Sequence, residues 1–172
     1  MYCASNKFIW IPLYLLLFFL IYREYGVKTL VILFLGIALI TASDQLTSGL
    51  IKNLVERPRP SHEVALTGEV HLVDNYSGGK YGFPSSHSSN SFALAVFIIL
   101  LIGKRYNWIK YVVLSYAILV AYSRIYLGVH YPGDVICGMI IGIILGFFFY
   151  KIWGNIDKRI YPMSFNKSKE QG

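Results

Sequence analysis

Asp134-Val-Ile-Cys-Gly-Met-Ile-Ile-Gly-Ile-Ile-Leu-Gly-Phe-Phe-Phe-Tyr-Lys-Ile-Trp153 holds no charged residue between Asp134 and Lys151. A helix needs about 20 apolar residues, with about 17 as the lower limit, to cross the hydrocarbon core of a bilayer. This run has that length, and so do segments 28–51 and 108–127. Two further apolar segments, 8–22 and 89–103, are shorter and reach across only with flanking aromatic or serine residues. Lipid offers bare backbone no hydrogen bonds, so pieces this apolar are read as helices. Nothing alternates with period two over barrel-strand lengths. Gly138, Gly142 and Gly146 form a small-residue ridge on the last helix, which predicts close packing against a neighbour.

The whole chain agrees with these segments. Of its 172 residues 55% are hydrophobic and 15% charged, and mean hydropathy is +0.51. A soluble domain of this size cannot hide so much apolar surface, so the fold class is an all-α integral membrane protein. A bundle of five transmembrane helices is expected. The net charge of +7 lies between apolar runs, which fits lipid headgroups and membrane orientation and excludes nucleic acid as the partner. Cys3 and Cys137 show no metal-binding or redox spacing. The first apolar run ends in Tyr22-Arg23-Glu24-Tyr25 without a small-residue cleavage site, so it is read as retained.

The longest polar segment, 53–88, carries Pro58, Pro60 and Pro84 together with Gly78, Gly79 and Gly82. Loops this long are usually functional. Residues 1–153 are read as one membrane-embedded domain and 154–172 as a polar, basic cytoplasmic tail. Ten basic residues fall on one side: Arg23, Lys28, Lys104, Arg105, Lys110, Lys151, Lys158, Arg159, Lys167 and Lys169. Six fall on the other: Lys7, Lys52, Arg57, Arg59, Lys80 and Arg124. The positive-inside rule puts the second side, and the long loop with it, outside the cytoplasm. Five spans with a cytoplasmic C-terminus leave the N-terminus outside; a missing or re-entrant first segment is one explanation of that start.

Three stretches at the mouths of the apolar segments gather the chemistry. They are Lys52-Asn-Leu-Val-Glu-Arg-Pro-Arg59-Pro60, then Pro84-Ser85-Ser86-His87, then Ser123-Arg124 followed by His130 and Asp134. A phosphate ester carries up to two negative charges, and its transition state spreads charge over three oxygens that fixed cations stabilise. Lys52, Arg59 and Arg124 are the candidates, with Arg57 the rival for the first stretch. One such residue alone is more often an interfacial anchor; three beside two histidines are not. The Pro84–His87 turn should present hydroxyls and backbone N–H groups near the positive end of a helix, a ready anion site. Asp134 either caps the last helix or holds one nitrogen of His130 and leaves the other free to attack phosphorus. His87 then protonates the leaving oxygen.

The pattern K-x6-R-P, P-S-x-H and S-R-x5-H-x3-D resembles the type-2 phosphatidic acid phosphatase superfamily, which includes lipid phosphatases and vanadium-dependent haloperoxidases. The resemblance rests on Lys52, Arg59 and Pro60; on Pro84, Ser85 and His87; and on Ser123, Arg124, His130 and Asp134. It covers about residues 28–150. It implies a metal-free, cofactor-free phosphohistidine mechanism. In it His130 attacks, Asp134 steers it, His87 protonates the leaving group, and Lys52, Arg59, Arg124, Ser85 and the Ser86 backbone hold the phosphoryl oxygens. Two departures stand out: the superfamily usually has Gly at the position of Ser86, and its membrane members commonly show six spans.

The reading is a membrane lipid phosphatase with its site on the extracytoplasmic face of the cell membrane. Its partner is a lipid phosphate, with undecaprenyl diphosphate the leading substrate from the compact size. Phosphatidylglycerophosphate, phosphatidate and lipid A 1-phosphate are alternatives. A haloperoxidase is disfavoured by the apolar spans, and a non-catalytic lipid-phosphate binder or transporter by the presence of both histidines and Asp134. His62 and His71, with Glu63, Glu69 or Asp74, are read as solvated loop residues rather than metal ligands. Asp44, a carboxylate inside an apolar run, is expected to be a buried polar partner for another helix.

Overall fold

The computed structural model describes residues 7–64 and 77–160. Its main elements are helices α1 (Ile11–Tyr25), α2 (Thr29–Asp44), α3 (Ser86–Ile102), α4 (Ile109–Tyr126) and α5 (Pro132–Ile160). By length and apolarity three helical stretches can cross a membrane: Phe8–Val55, Ile109–Tyr126 and Pro132–Ile160. Ser86–Ile102 is shorter, 17 residues, or about 26 Å. The Phe8–Val55 stretch reverses at Gly26, whose φ of +54° suits glycine, so α1 and α2 lie side by side. Large apolar side chains point outward from these helices, among them Phe34 at 70% and Ile144 at 61% exposure. Water would not tolerate so many; lipid accepts them. This is an all-helical membrane protein among the described residues.

The small-residue ridge sets the central contact. Gly138, Gly142 and Gly146 of α5 lie against the backbone carbonyls of Ser85, Ser89 and Ala93 at the start of α3 and along it. Both series ascend in steps of four, so α3 and α5 run parallel. Ser88 Oγ donates to the Val135 carbonyl at 2.8 Å and ties their first turns together. α2 runs antiparallel to α3, joined by Ser43 and Ser89 hydroxyls at 2.7 Å and by Ser48 and Ser86. One end of the bundle therefore collects the C-termini of α2 and α4 and the N-termini of α3 and α5.

The opposite end is closed by aromatic and ionic contacts. Tyr25 donates to the Leu101 carbonyl at 2.9 Å and meets buried Trp153 edge-on at 5.6 Å. Lys28 pairs with Asp157 at 2.7 Å. These contacts carry α5 to Ile160, so the first residues of the segment read as a tail are helical; 161–172 lie outside the described residues. The sequence reading also took 28–51 as one regular helix. Instead Gln45–Ile51 widens into a π-helix, with Lys52 N–H donating to the Thr47 carbonyl five residues back. Thr47 Oγ1 donates to the Ser43 carbonyl at 2.7 Å, a competing local bond of the kind that distorts helices. Such widened turns occur frequently at functional sites.

The long polar segment folds back on itself where it is described. Arg59 N–H donates to the Lys80 carbonyl at 3.2 Å and Gly82 N–H to the Arg57 carbonyl at 2.9 Å. Ser61 Oγ donates to the Ser77 carbonyl at 2.7 Å. Both flanks of the loop thus brace each other over the end of the bundle where the motifs meet.

Candidate active site

A cavity of about 630 Å³ opens at that end, and Lys52, Arg59, Ser86, His87 and His130 line it. Three sequence-distant stretches reach it for local reasons. The π-helix and one further α turn deliver Lys52. The braced loop delivers Arg59, buried at 8% exposure, with Nε donating to the Tyr81 carbonyl at 3.0 Å. Gly78, at φ +67°, lies so close that any side chain there would collide with the Arg59 guanidinium.

The start of α3 borders the cavity. Its first intrahelical bond runs from Ser89 N–H to the Ser85 carbonyl at 3.0 Å, which leaves the N–H groups of the first turn to outside partners. Ser85 is fully buried but does not cap the helix. Its Oγ has no hydrogen-bond partner among the described residues. Ser86 sits inside the helix, not at positive φ, so serine in place of glycine causes no backbone conflict there. His87, the next residue, exposes its ring to the cavity.

His130 is buried at 3% exposure, and its Nδ1 lies 3.4 Å from Asp134 Oδ2. Asp134, fully buried, also accepts the Tyr131 N–H on Oδ2 at 3.0 Å and pairs through Oδ1 with Arg57 Nη1 at 3.0 Å. Of the two roles the sequence left open for Asp134, both are seen at once: from the first turn of α5, which starts at Pro132, one carboxylate oxygen accepts the N–H of Tyr131 just before the helix and also faces His130 Nδ1. Burial is the main cause that lowers the His130 pKa to about 4, against the raising effect of its hydrogen bond to Asp134. The ring is therefore neutral at pH 7. Arg124, 2% exposed in the last turn of α4, contributes its charge to the field at His130, as Arg59 does.

All of the sequence-predicted site residues thus fall at one end of the bundle. Sequence reasoning missed the position of Arg57, which is not among the cavity-lining residues. It grips Asp134 and stacks 4.2 Å from the centre of the Tyr131 ring. Spacing alone did not separate Arg57 from Arg59, because both flank Pro58. Asp44 also departs from expectation. It lines the cavity beside Lys52, and its carboxylate contact is Ser48 of its own chain segment at 3.5 Å, not another helix. His62 is exposed, with Nδ1 3.1 Å from Ser61 Oγ; His71, Glu69 and Asp74 lie outside the described residues.

The chain is similar to several known proteins. The chain is 38% identical over 158 residues to a lipid A 4'-phosphatase of Bacteroides thetaiotaomicron, covering 91% of this chain and 69% of that one. It is 34% identical over 139 residues to an undecaprenyl-diphosphatase of Sulfolobus acidocaldarius, covering 80% of this chain and 60% of that one. This chain thus spans roughly two thirds of these relatives' length. The fold resembles a crystal structure of a transmembrane PAP2-type phosphatidylglycerolphosphate phosphatase from Bacillus subtilis, with a TM-score of 0.63 at 24% identity over 90% of this chain and 73% of that one. Residues 29–158 match the model of the PAP2 superfamily, to whose membrane lipid phosphatases this chain belongs.

Proposed function

We propose that this protein removes a phosphate from a lipid headgroup through a phosphohistidine on His130, without a metal ion. The observation that carries the reading is the His130–Asp134–Arg57 chain. A buried carboxylate held by a guanidinium accepts from His130 Nδ1, which leaves Nε2 as the nucleophile. Nε2 bonds to phosphorus as the bond from phosphorus to the lipid oxygen breaks. His87 protonates that oxygen. His87 then takes a proton from water, water attacks phosphorus, the P–N bond breaks and inorganic phosphate leaves. The charge of bound phosphate favours the imidazolium that His87 needs for the first step. Lys52, Arg59 and Arg124 hold the phosphoryl oxygens with Ser85 and the N–H groups that open α3.

The substrate favoured is a lipid A-type glycolipid bearing a 4'-phosphate, on the strength of the relative matched over most of both chains. Undecaprenyl diphosphate, the substrate expected from compact size, is the second reading, supported by the undecaprenyl-diphosphatase among the relatives. The site faces the extracytoplasmic side, as the basic residues at the other end of the bundle imply. The test is phosphate release by purified protein in detergent with EDTA. The panel is lipid A, undecaprenyl diphosphate, phosphatidate and phosphatidylglycerophosphate, with His130→Ala as control. Metal-free release lost in the variant supports the proposal; release that needs an added metal, or that survives in His130→Ala, overturns it.

A further inference from the structure

Away from the phosphate end, the cavity lining is of two kinds. Its lining includes Asp44, Ser48 and Asn90 from α2, its π extension and α3, and also the aromatic residues Phe8, Trp10 and Tyr116. Trp10 and Tyr116 pack edge-on at 4.7 Å, so this aromatic pair is fixed. The polar set includes two acceptors with weak or missing partners. Asn90 Oδ1 is buried with no hydrogen-bond partner among the described residues. The hydrogen bond to the Asp44 carboxylate is the long one from Ser48, at 3.5 Å.

A carboxylate here opposes phosphate binding by its charge and costs desolvation in an apolar span. Lys52, which interacts with its charge, offsets part of this, and a substrate that brings hydrogen-bond donors to the carboxylate offsets more. A prenyl chain brings none, and neither do the acylated oxygens of phosphatidate. A sugar ring brings hydroxyl and amide N–H donors at its edge and an apolar face to lay on aromatic rings. We infer that Asp44 and Asn90 select for a phosphate carried on a sugar, hydrogen-bonding the ring that bears it while Trp10 and Phe8 pack against its face. This rests on the phosphatase reading above and assigns the headgroup selectivity of the same site to these side chains.

Selectivity is the readout, because a structural role for Asp44 would not move it. The quantity is the ratio of kcat/KM on 4'-phosphorylated lipid A to kcat/KM on phosphatidate, in one detergent with EDTA. Sites built to hydrogen-bond a substrate group reject analogues that lack it by as much as 10⁴-fold or more; for acceptors in a partly open cavity about 10- to 100-fold is expected. Asp44→Leu and Asn90→Leu should each lower the ratio at least about tenfold, and Asp44→Asn, which keeps an acceptor, should lower it less. An equal fall on both lipids in every variant, or no change, refutes the inference. Wild-type protein that clears phosphatidate as fast as lipid A refutes it while leaving the phosphatase reading intact. Wild-type protein that clears undecaprenyl diphosphate but not lipid A also refutes the inference alone, and wild-type protein that releases phosphate from none of the four lipids of the panel refutes both readings.

Discussion

Arg57→Ala separates a residue that positions the nucleophile from one that binds phosphate. Arg57 is joined to Asp134 Oδ1 at 3.0 Å, but its side chain is 42% exposed while Asp134 is fully buried. A hydrogen bond between charged groups contributes about 1.5–3 kcal/mol. Solvent screening of the exposed guanidinium brings this to about 1–1.5 kcal/mol, or roughly 5- to 15-fold in rate. The loss should fall on kcat, because Asp134 would hold His130 less firmly while the phosphate ligands stay in place. Arg59→Ala should instead weaken anion binding, because Arg59 is 8% exposed and lines the cavity. The assay pairs kcat and KM for phosphate release with the inhibition constant of vanadate, a mimic of the transferring phosphoryl group. Arg57→Ala should lower kcat with the vanadate constant unchanged within about twofold, and Arg57→Lys should restore part of the rate. Arg57→Ala that weakens vanadate as much as Arg59→Ala does, at unchanged kcat, would refute the positioning role.

Other outcomes follow from the same geometry. Gly142→Ala would set a methyl group against the Ser89 carbonyl and 3.0 Å from the Ala93 nitrogen; it should lower the melting temperature in detergent, whereas Gly154→Ala, with nothing within 4 Å, should leave it unchanged or raise it. Gly78→Ala should reproduce much of the Arg59→Ala loss in vanadate affinity, since its methyl group would displace the guanidinium, and should also lower the melting temperature, since φ +67° strains an L-residue. His130 should stay neutral in ¹⁵N NMR of the detergent-solubilised protein as pH falls through 6.5 and take up its proton at about pH 4. Because the unfolded chain binds that proton near 6.5, the group's contribution to stability is full above 6.5 and is lost as pH falls toward 4; a midpoint at or above 6.5 would contradict the burial argument.

Much of this was legible in the residues. The apolar runs and the Gly138-Gly142-Gly146 ridge announced helices and their closest contact, because lipid forces helical backbone and four-residue spacing puts small residues on one face. The motif residues were legible because phosphate chemistry demands fixed cations near a nucleophile. What stayed hidden depended on distances between segments far apart in sequence. Arg57 and Arg59 look alike until Asp134, 77 residues on from Arg57, is brought beside one of them. Asp44 read as a partner for another helix because a carboxylate is costly inside an apolar run; that it lines a cavity instead depended on segments distant in sequence enclosing that cavity. The extension of α5 to Ile160 depended on Lys28 meeting Asp157, another distant pair.

The most direct measurement of the central claim is to trap the covalent intermediate. Purified protein is mixed with ³²P-labelled lipid phosphate in EDTA, quenched in alkali within milliseconds, digested and mapped by mass spectrometry. A phosphohistidine resists alkali and is lost in acid. The account expects such a label on His130, absent from His130→Ala. A label on another residue, or rapid phosphate release with no acid-labile label at any time, would contradict it.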